Sequence, residues 1–202
     1  MGTLLKLSHL IDGFSRFVGK SIIWLVLAAT LISAGNAVAR KAFNIGSNAL
    51  LEIQWYLFAA VFLLGAGYAF MMNAHVRIDV IANKLSKRLR TWVDIFGIVV
   101  FLLPLCYFMI SFSWPVVYGA FVSSEMSSNA GGLIRWPVYA LVPAGFALLG
   151  LQAVSELIKR IGFLQGQAPD SLATDGHDDT QDHLHAVTGE SSDHDVIVGP
   201  KQ

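Results

Sequence analysis

The sequence predicts an all-α membrane protein with four transmembrane helices, amphipathic helices at the membrane surface and both termini in the cytoplasm. Three observations carry that prediction. Four runs, about residues 21–39, 53–72, 95–115 and 136–155, hold no charged side chain, and about twenty such residues cross a hydrocarbon core of about 30 Å. The composition agrees, because 54% hydrophobic residues, 14% charged residues and a mean hydropathy of +0.57 lie far from the averages of a soluble domain. Basic residues also crowd onto one side of the resulting topology, and that bias orients membrane helices.

A net charge of zero over 202 residues conceals two unlike regions. Residues 1–164 hold thirteen of the 14 basic residues and six of the 14 acids, whereas the remainder holds one lysine and eight acids. Positive charge therefore gathers at membrane edges, where anionic lipid attracts it. The single cysteine, Cys106, lies inside an apolar run, which excludes an intrachain disulfide or a cysteine metal site.

In chain order, residues 1–20 read as an amphipathic helix lying along the cytoplasmic membrane face. Leu4, Leu7, Leu10, Ile11, Phe14, Phe17 and Val18 recur at helical spacing, and Lys6, His9, Asp12 and Arg16 fall elsewhere on the wheel. Residues 21–164 form the membrane domain. Its first span, 21–39, is bounded by Lys20 and Arg40; Ala37-Val38-Ala39 also fits a signal-peptidase site, but the leader is too long and too patterned for a signal peptide. The second span, 53–72, is entered through Glu52, Trp55 and Tyr56, and the aromatic pair suits a membrane boundary. Its Gly65, Ala66, Gly67 and Ala69 leave a patch almost without side chains, which lets another helix approach closely.

Asn73 to Arg90 is polar and strongly basic. Asp79 is expected to cap a short interfacial helix from Val80 to Arg90, with Lys87, Arg88 and Arg90 in its last turn, where the helix dipole favours cations. Lys84, Lys87, Arg88 and Arg90 are the expected contacts to anionic lipid. The third span, 95–115, carries Pro104, expected to kink it. Residues 116–135 read as a surface loop rich in small and polar residues. The fourth span, 136–155, ends at Glu156, four residues before Arg160 and so placed to pair with it. Residues 165–202 are rich in Asp, Ser, Gly and His, cannot bury enough surface to offset the entropy of ordering, and are expected to be a disordered acidic tail.

The ionisable groups of the spans, Glu52, Asp94 and Glu156, all fall at span ends. The polar residues inside the spans, Ser33, Asn36, Tyr107, Ser111 and Gln152, are uncharged; a self-sufficient ion-coupled carrier keeps an ionisable group near the midplane, and a membrane cytochrome needs histidines within its spans. Neither is present, nor is a hydrolase triad, paired catalytic carboxylates or a cofactor loop. The sequence reads as a non-enzymatic accessory subunit with no cofactor, no resident metal and no nucleic-acid partner.

Glu52-Ile53-Gln54-Trp55-Tyr56, then Phe62 to Ala69, then Asn73-Ala74-His75-Val76-Arg77-Ile78-Asp79-Val80, resemble the small permease subunit of tripartite ATP-independent periplasmic (TRAP) transporters. Gly131 to Pro137, Pro143 to Phe146 and Gln152 are similar to the same family, in its mannitol and chloroaromatic-type branch. The resemblance covers about residues 10–162. It implies a multi-pass protein of the bacterial inner membrane that braces a large permease during ion-gradient-driven uptake of an organic acid delivered by a periplasmic binding protein. It further implies that His75, Arg77 and Asp79 shape the inner loop or touch the large subunit, that Glu52 and Arg135 lie near the outer face, and that Gly65 and Gly67 belong to a packing or partner surface. A membrane anchor or assembly factor for another complex is the alternative function.

With both termini inside, ten basic residues of the membrane domain and its leader fall on the inner side, and three, Arg40, Lys41 and Arg135, fall outside. A reporter enzyme inserted beside Glu125 is accordingly expected to be active only as a periplasmic fusion; cytoplasmic activity there would invert the topology.

Overall fold

The computed structural model describes residues 2–43, 46–72 and 86–166. Helix α1 spans Gly2–Phe43, α2 Asn48–Met71, α3 Lys87–Gly97, α4 Leu103–Val122 and α5 Trp136–Leu164. A π-helical turn, Ile98–Leu102, joins α3 to α4 without a break in the rod. Among the described residues four helices are thus long and apolar enough to cross a membrane: α1, α2, the α3–α4 rod and α5. Among the described residues the one extended feature is an isolated antiparallel bridge between Met126 and Ile134.

The leader and the first span are one helix rather than a surface helix followed by a span. The reason lies in a seam that ignores the charge boundary at Lys20. Ser8, Asp12, Ser15, Gly19, Ala29 and Asn36 are all buried, and they follow the alternating three- and four-residue spacing that keeps one helix face against a neighbour. No proline interrupts it. At 1.5 Å per residue, 42 residues extend about 63 Å, well beyond a hydrocarbon core of about 30 Å.

Pro104 explains the π turn. A proline has no N–H to give, and its ring collides with the carbonyl four residues back, here that of Val100. Widening the helix by one residue per turn accommodates both. The third span does not stop at residue 115, for α4 continues seven residues past Pro115 to Val122. Loss of one ladder bond does not end a helix whose next residues, Val116 to Val122, are nearly all apolar, and in lipid the helix is the conformation that satisfies the backbone. The expected loop 116–135 is therefore confined to 123–135.

The basic segment also differs from expectation. Asp79 and residues 73–85 lie outside the described residues. Helix α3 begins at Lys87 with Ser86 as its cap, the Ser86 hydroxyl accepting from the Leu89 amide at 3.4 Å. Lys87, Arg88 and Arg90 thus occupy a first turn and not a last one, against the dipole preference. The tail beyond Gly166 lies outside the described residues as well.

Helix α5 is the hub of the bundle and packs against α1, α2 and α4. Between α2 and α5 the backbones touch. A Cβ added at Gly145 would stand 2.7 Å from the Leu63 carbonyl oxygen, and one added at Gly67 would stand 3.3 Å from that of Leu148. Each glycine lets the opposite main chain lie where a side chain would be, the contact that drives helix association in lipid. Gly19 of α1 is covered by the Tyr68 ring, within 2.4–2.8 Å of where its Cβ would be, and Gly65 faces Ile22. Helix α4 joins through Cys106, which packs beside Gly150, and through an edge-to-face contact of Phe121 on Trp136 at 5.5 Å.

Gly145→Ala is expected to lower the unfolding free energy in detergent by about 1–3 kcal/mol, the usual cost of overpacking. Gly35→Ala, where an added Cβ meets nothing within 4 Å, should be neutral or stabilising. Thermal unfolding of the two variants side by side checks the difference.

Candidate functional site

Two clusters of polar side chains close the two ends of the bundle. At the first, α1 and α5 meet through polar residues placed one helical turn apart on each. Asp12 is buried, 4% exposed, and its Oδ1 accepts from Gln152 Nε2 and Ser155 Oγ, both at 2.8 Å. Its Oδ2 accepts from Lys159 Nζ at 3.0 Å. Because the Ser155 proton is committed to the carboxylate, Ser8 donates to Ser155 Oγ at 2.7 Å. Ser15 completes the row by donating to Gln152 Oε1 at 2.6 Å.

The same end is extended by ion pairs. Lys159 also donates to Glu156, so it bridges two buried carboxylates. Arg160, 3% exposed, reaches Asp94 of α3 at 3.5 Å and lies 3.9 Å from Glu156. The pair expected between Glu156 and Arg160 is therefore the longer contact. Arg160 instead ties the α3–α4 rod to α5.

At the second end, one carboxylate organises a loop. Asn48, Glu52 and Tyr56 recur every four residues along α2 and so share a face. Glu52 is 5% exposed. Its Oε1 accepts from Ser127 Oγ and from Asn129 Nδ2 at 2.7 Å, and its Oε2 accepts from the Leu133 amide at 2.7 Å. Asn48 donates to the Ala130 carbonyl and Tyr56 to that of Ile134, each at 3.2 Å. Three side chains of one helix thus hold residues 127–134.

The loop is shaped to be held. Arg135 N donates to Glu125 O and Ser127 N to Leu133 O, both at 2.9 Å, closing a short hairpin. Gly131 sits at φ 71, in the left-handed region that glycine enters without strain. Arg135, at the start of α5, lies 3.5 Å from Glu125 and donates to the Tyr139 hydroxyl at 3.3 Å. The Tyr139 hydroxyl, and beyond it Glu125, raise Arg135 above the ordinary arginine range, so it is a permanent cation. A cavity of about 200 Å³ opens here between Trp55, Tyr56, Arg135 and Tyr139.

The family model for tripartite ATP-independent periplasmic transporters, DctQ component, matches residues 29–162. The chain belongs to this family. A TRAP transporter small permease protein of Haemophilus influenzae is 33% identical over 109 residues, which cover 54% of this chain and 65% of that relative. The match thus spans less than two thirds of the relative's length. No solved structure matches the chain. Family and helices together make it a TRAP small permease subunit, multi-pass in the bacterial inner membrane.

The residues singled out from sequence fall in different places. Glu52 and Arg135 share the second end, where Glu52 is the centre of the loop clamp and Arg135 borders it. Gly67 is buried in the α2–α5 contact and Gly65 is half-buried against α1. Arg88 is exposed and Arg90 half-buried in the first turn of α3, which Lys87 begins. His75, Arg77, Asp79 and Lys84 lie outside the described residues. Asp12, assigned to the polar face of a surface helix, is instead turned into the bundle. A signal for this was available, since Asp12 is the only acid in a basic leader and stands on the small, polar row Ser8-Asp12-Ser15-Gly19. Gln152 was marked as an uncharged polar residue of the fourth span and by the family resemblance, with no partner assigned to it. Ser155 and Lys159 carried no functional expectation.

Glu52→Ala removes the acceptor for three donors at once. Charge-assisted bonds of this kind contribute about 1.5–3 kcal/mol each and are not additive. The expected result is a loss of about 2–3 kcal/mol in detergent unfolding, with faster amide exchange at Leu133. Glu125→Ala, which breaks a partly exposed ion pair and a long bond from Tyr139, should change stability by less than about 1 kcal/mol.

Proposed function

We propose that this subunit braces the large permease of a TRAP transporter while an organic acid, delivered by a periplasmic binding protein, is taken up on an ion gradient. The observation that carries this reading is where the acids stand. Among the described residues, Asp12, Asp94 and Glu156 gather at one end of the bundle, Glu52 and Glu125 at the other, and each engages groups of this same chain. A site that passes ions or a carboxylate through the bilayer needs polar groups free to bind them near the midplane. The substrate and coupling-ion sites are therefore assigned to the large permease, and no enzymatic role to this chain.

The charge count supports a cytoplasmic Asp12 end and a periplasmic Glu52 end, with both termini inside. In that orientation the hairpin at 125–135 faces the compartment from which the binding protein arrives. Lys84, Lys87, Arg88 and Arg90 then meet the anionic headgroups of the inner leaflet.

Affinity purification of the full chain in mild detergent is expected to bring down a much larger polytopic protein, and deleting the chain to abolish organic-acid uptake. Purification of the chain alone, together with organic-acid uptake that survives its deletion, would overturn the proposal.

A further inference from the structure

The burial of Asp12 changes what the leader shows to its surroundings. With Ser8, Asp12, Ser15 and Gly19 turned inward, the outer surface of residues 2–20 keeps cations and no acid. Lys6, His9, Gly13, Arg16 and Lys20 are all exposed, and their alternating spacing of three and four residues lines them up along one side of α1. The same row continues past Lys20 as Trp24, Leu27 and Leu31, which are 72%, 46% and 63% exposed. It therefore changes from basic to apolar along its length, as a phospholipid does from headgroup to acyl chain.

Gly13 stands in the middle of the basic part. Glycine inside a helix lowers its stability relative to alanine, and at Gly19 and Gly145 close packing accounts for it. At Gly13 nothing lies within 4 Å of an added Cβ. The helix carries a bare patch there, flanked one turn away by His9 and Arg16 and two turns away by Lys6 and Lys20. Its depth suits a headgroup. Asp12, the preceding residue, bonds Ser155, the last residue of the fourth uncharged run.

We propose that this row of α1 is a binding site for an anionic phospholipid, with the phosphate over Gly13 and an acyl chain along Trp24, Leu27 and Leu31. Arg16 offers a planar pair of donors to the phosphate, His9 a ring N–H, and Lys6 and Lys20 long-range charge. Asp12 would cancel much of this attraction were it exposed; bonded to Lys159, it does not. The site is separate from Arg88 and Arg90 on α3, and it requires only that α1 cross a bilayer, so it stands independently of the transport role.

The test is binding of dioleoyl phosphatidylglycerol to the full chain in neutral detergent, with dioleoyl phosphatidylcholine and inorganic phosphate as comparisons. Each cation near an anionic lipid strengthens binding about five-fold. The K6Q/R16Q/K20Q variant is thus expected to lose on the order of 100-fold in phosphatidylglycerol affinity, and Arg88→Gln to stay within a few-fold of the unaltered chain. Gly13→Leu, which keeps every charge and fills the bare patch, should weaken binding by about ten-fold if the phosphate lies there. Equal affinity for the two lipids, undiminished binding by the triple variant, undiminished binding by Gly13→Leu, or displacement by equimolar inorganic phosphate would each overturn the proposal. The lipid comparison on the unaltered chain decides the matter should a variant fail to fold.

Discussion

The burial of one carboxylate, Asp12, is the constraint on which the α1 half of the structure depends. An ionised carboxylate withdrawn from water without partners costs far more than a helix contact returns. The three bonds it accepts, from Gln152, Ser155 and Lys159 on successive turns of α5, are therefore obligatory. Gln152, Ser155 and Lys159 accept no rotation of α1 about its axis, because a rotation of one residue would carry Asp12 into lipid. Apolar packing alone tolerates such slippage. A buried polar row is thus best understood here as a device for register, with the stability it adds a lesser effect.

The rotation so fixed decides everything else that α1 presents. It places Gly19 under the Tyr68 ring and Ile22 against Gly65, which joins α1 to α2. It turns the basic row and the apolar row outward together. Helix α2 is then held to α5 by a different device, the mutual approach of Gly67 and Gly145 to opposing main chains, which contains no hydrogen-bonding side chain. At its far end α2 returns to polar chemistry, with Asn48, Glu52 and Tyr56 gripping the hairpin that leads into α5. The middle of the bundle is held by small residues and its ends by polar ones.

Much of this architecture was legible in the sequence, and the exceptions have physical causes. Uncharged runs of sufficient length marked the four membrane helices, since nothing in lipid compensates a charge. What charge could not mark was continuity. Lys20 looked like a boundary, but a lysine on the outer face of a helix does not end it, and only the buried row from Ser8 to Asn36 reveals one helix. The third span was bounded at residue 115, yet its helix runs on, because Pro115 removes one ladder bond only and in lipid the backbone has no water to bond instead. Glu52 was recognisable through its motif, but its partners Ser127, Asn129 and Leu133 lie more than seventy residues away in chain, and no local pattern links them. Asp12 was misplaced because helical periodicity divides residues into polar and apolar without distinguishing a polar face turned to solvent from one turned to another helix.

A bundle of this construction has a mechanical consequence. In lipid no hydrophobic force presses helices together, so a subunit that supports another must keep its shape by contacts it does not share. Here the directional bonds are spent internally: both end clusters are built from residues of this chain, and the ion pair from Arg160 to Asp94 brings in the α3–α4 rod, which otherwise rests mainly on α5. The outward faces of α4 remain apolar, with Phe108, Phe112, Trp114 and Tyr118 all more than half exposed. Such faces can rest against lipid or a partner helix without any rearrangement of the polar groups within. Shape and surface are thereby separated, and the separation begins with the choice to point an acid inward at Asp12.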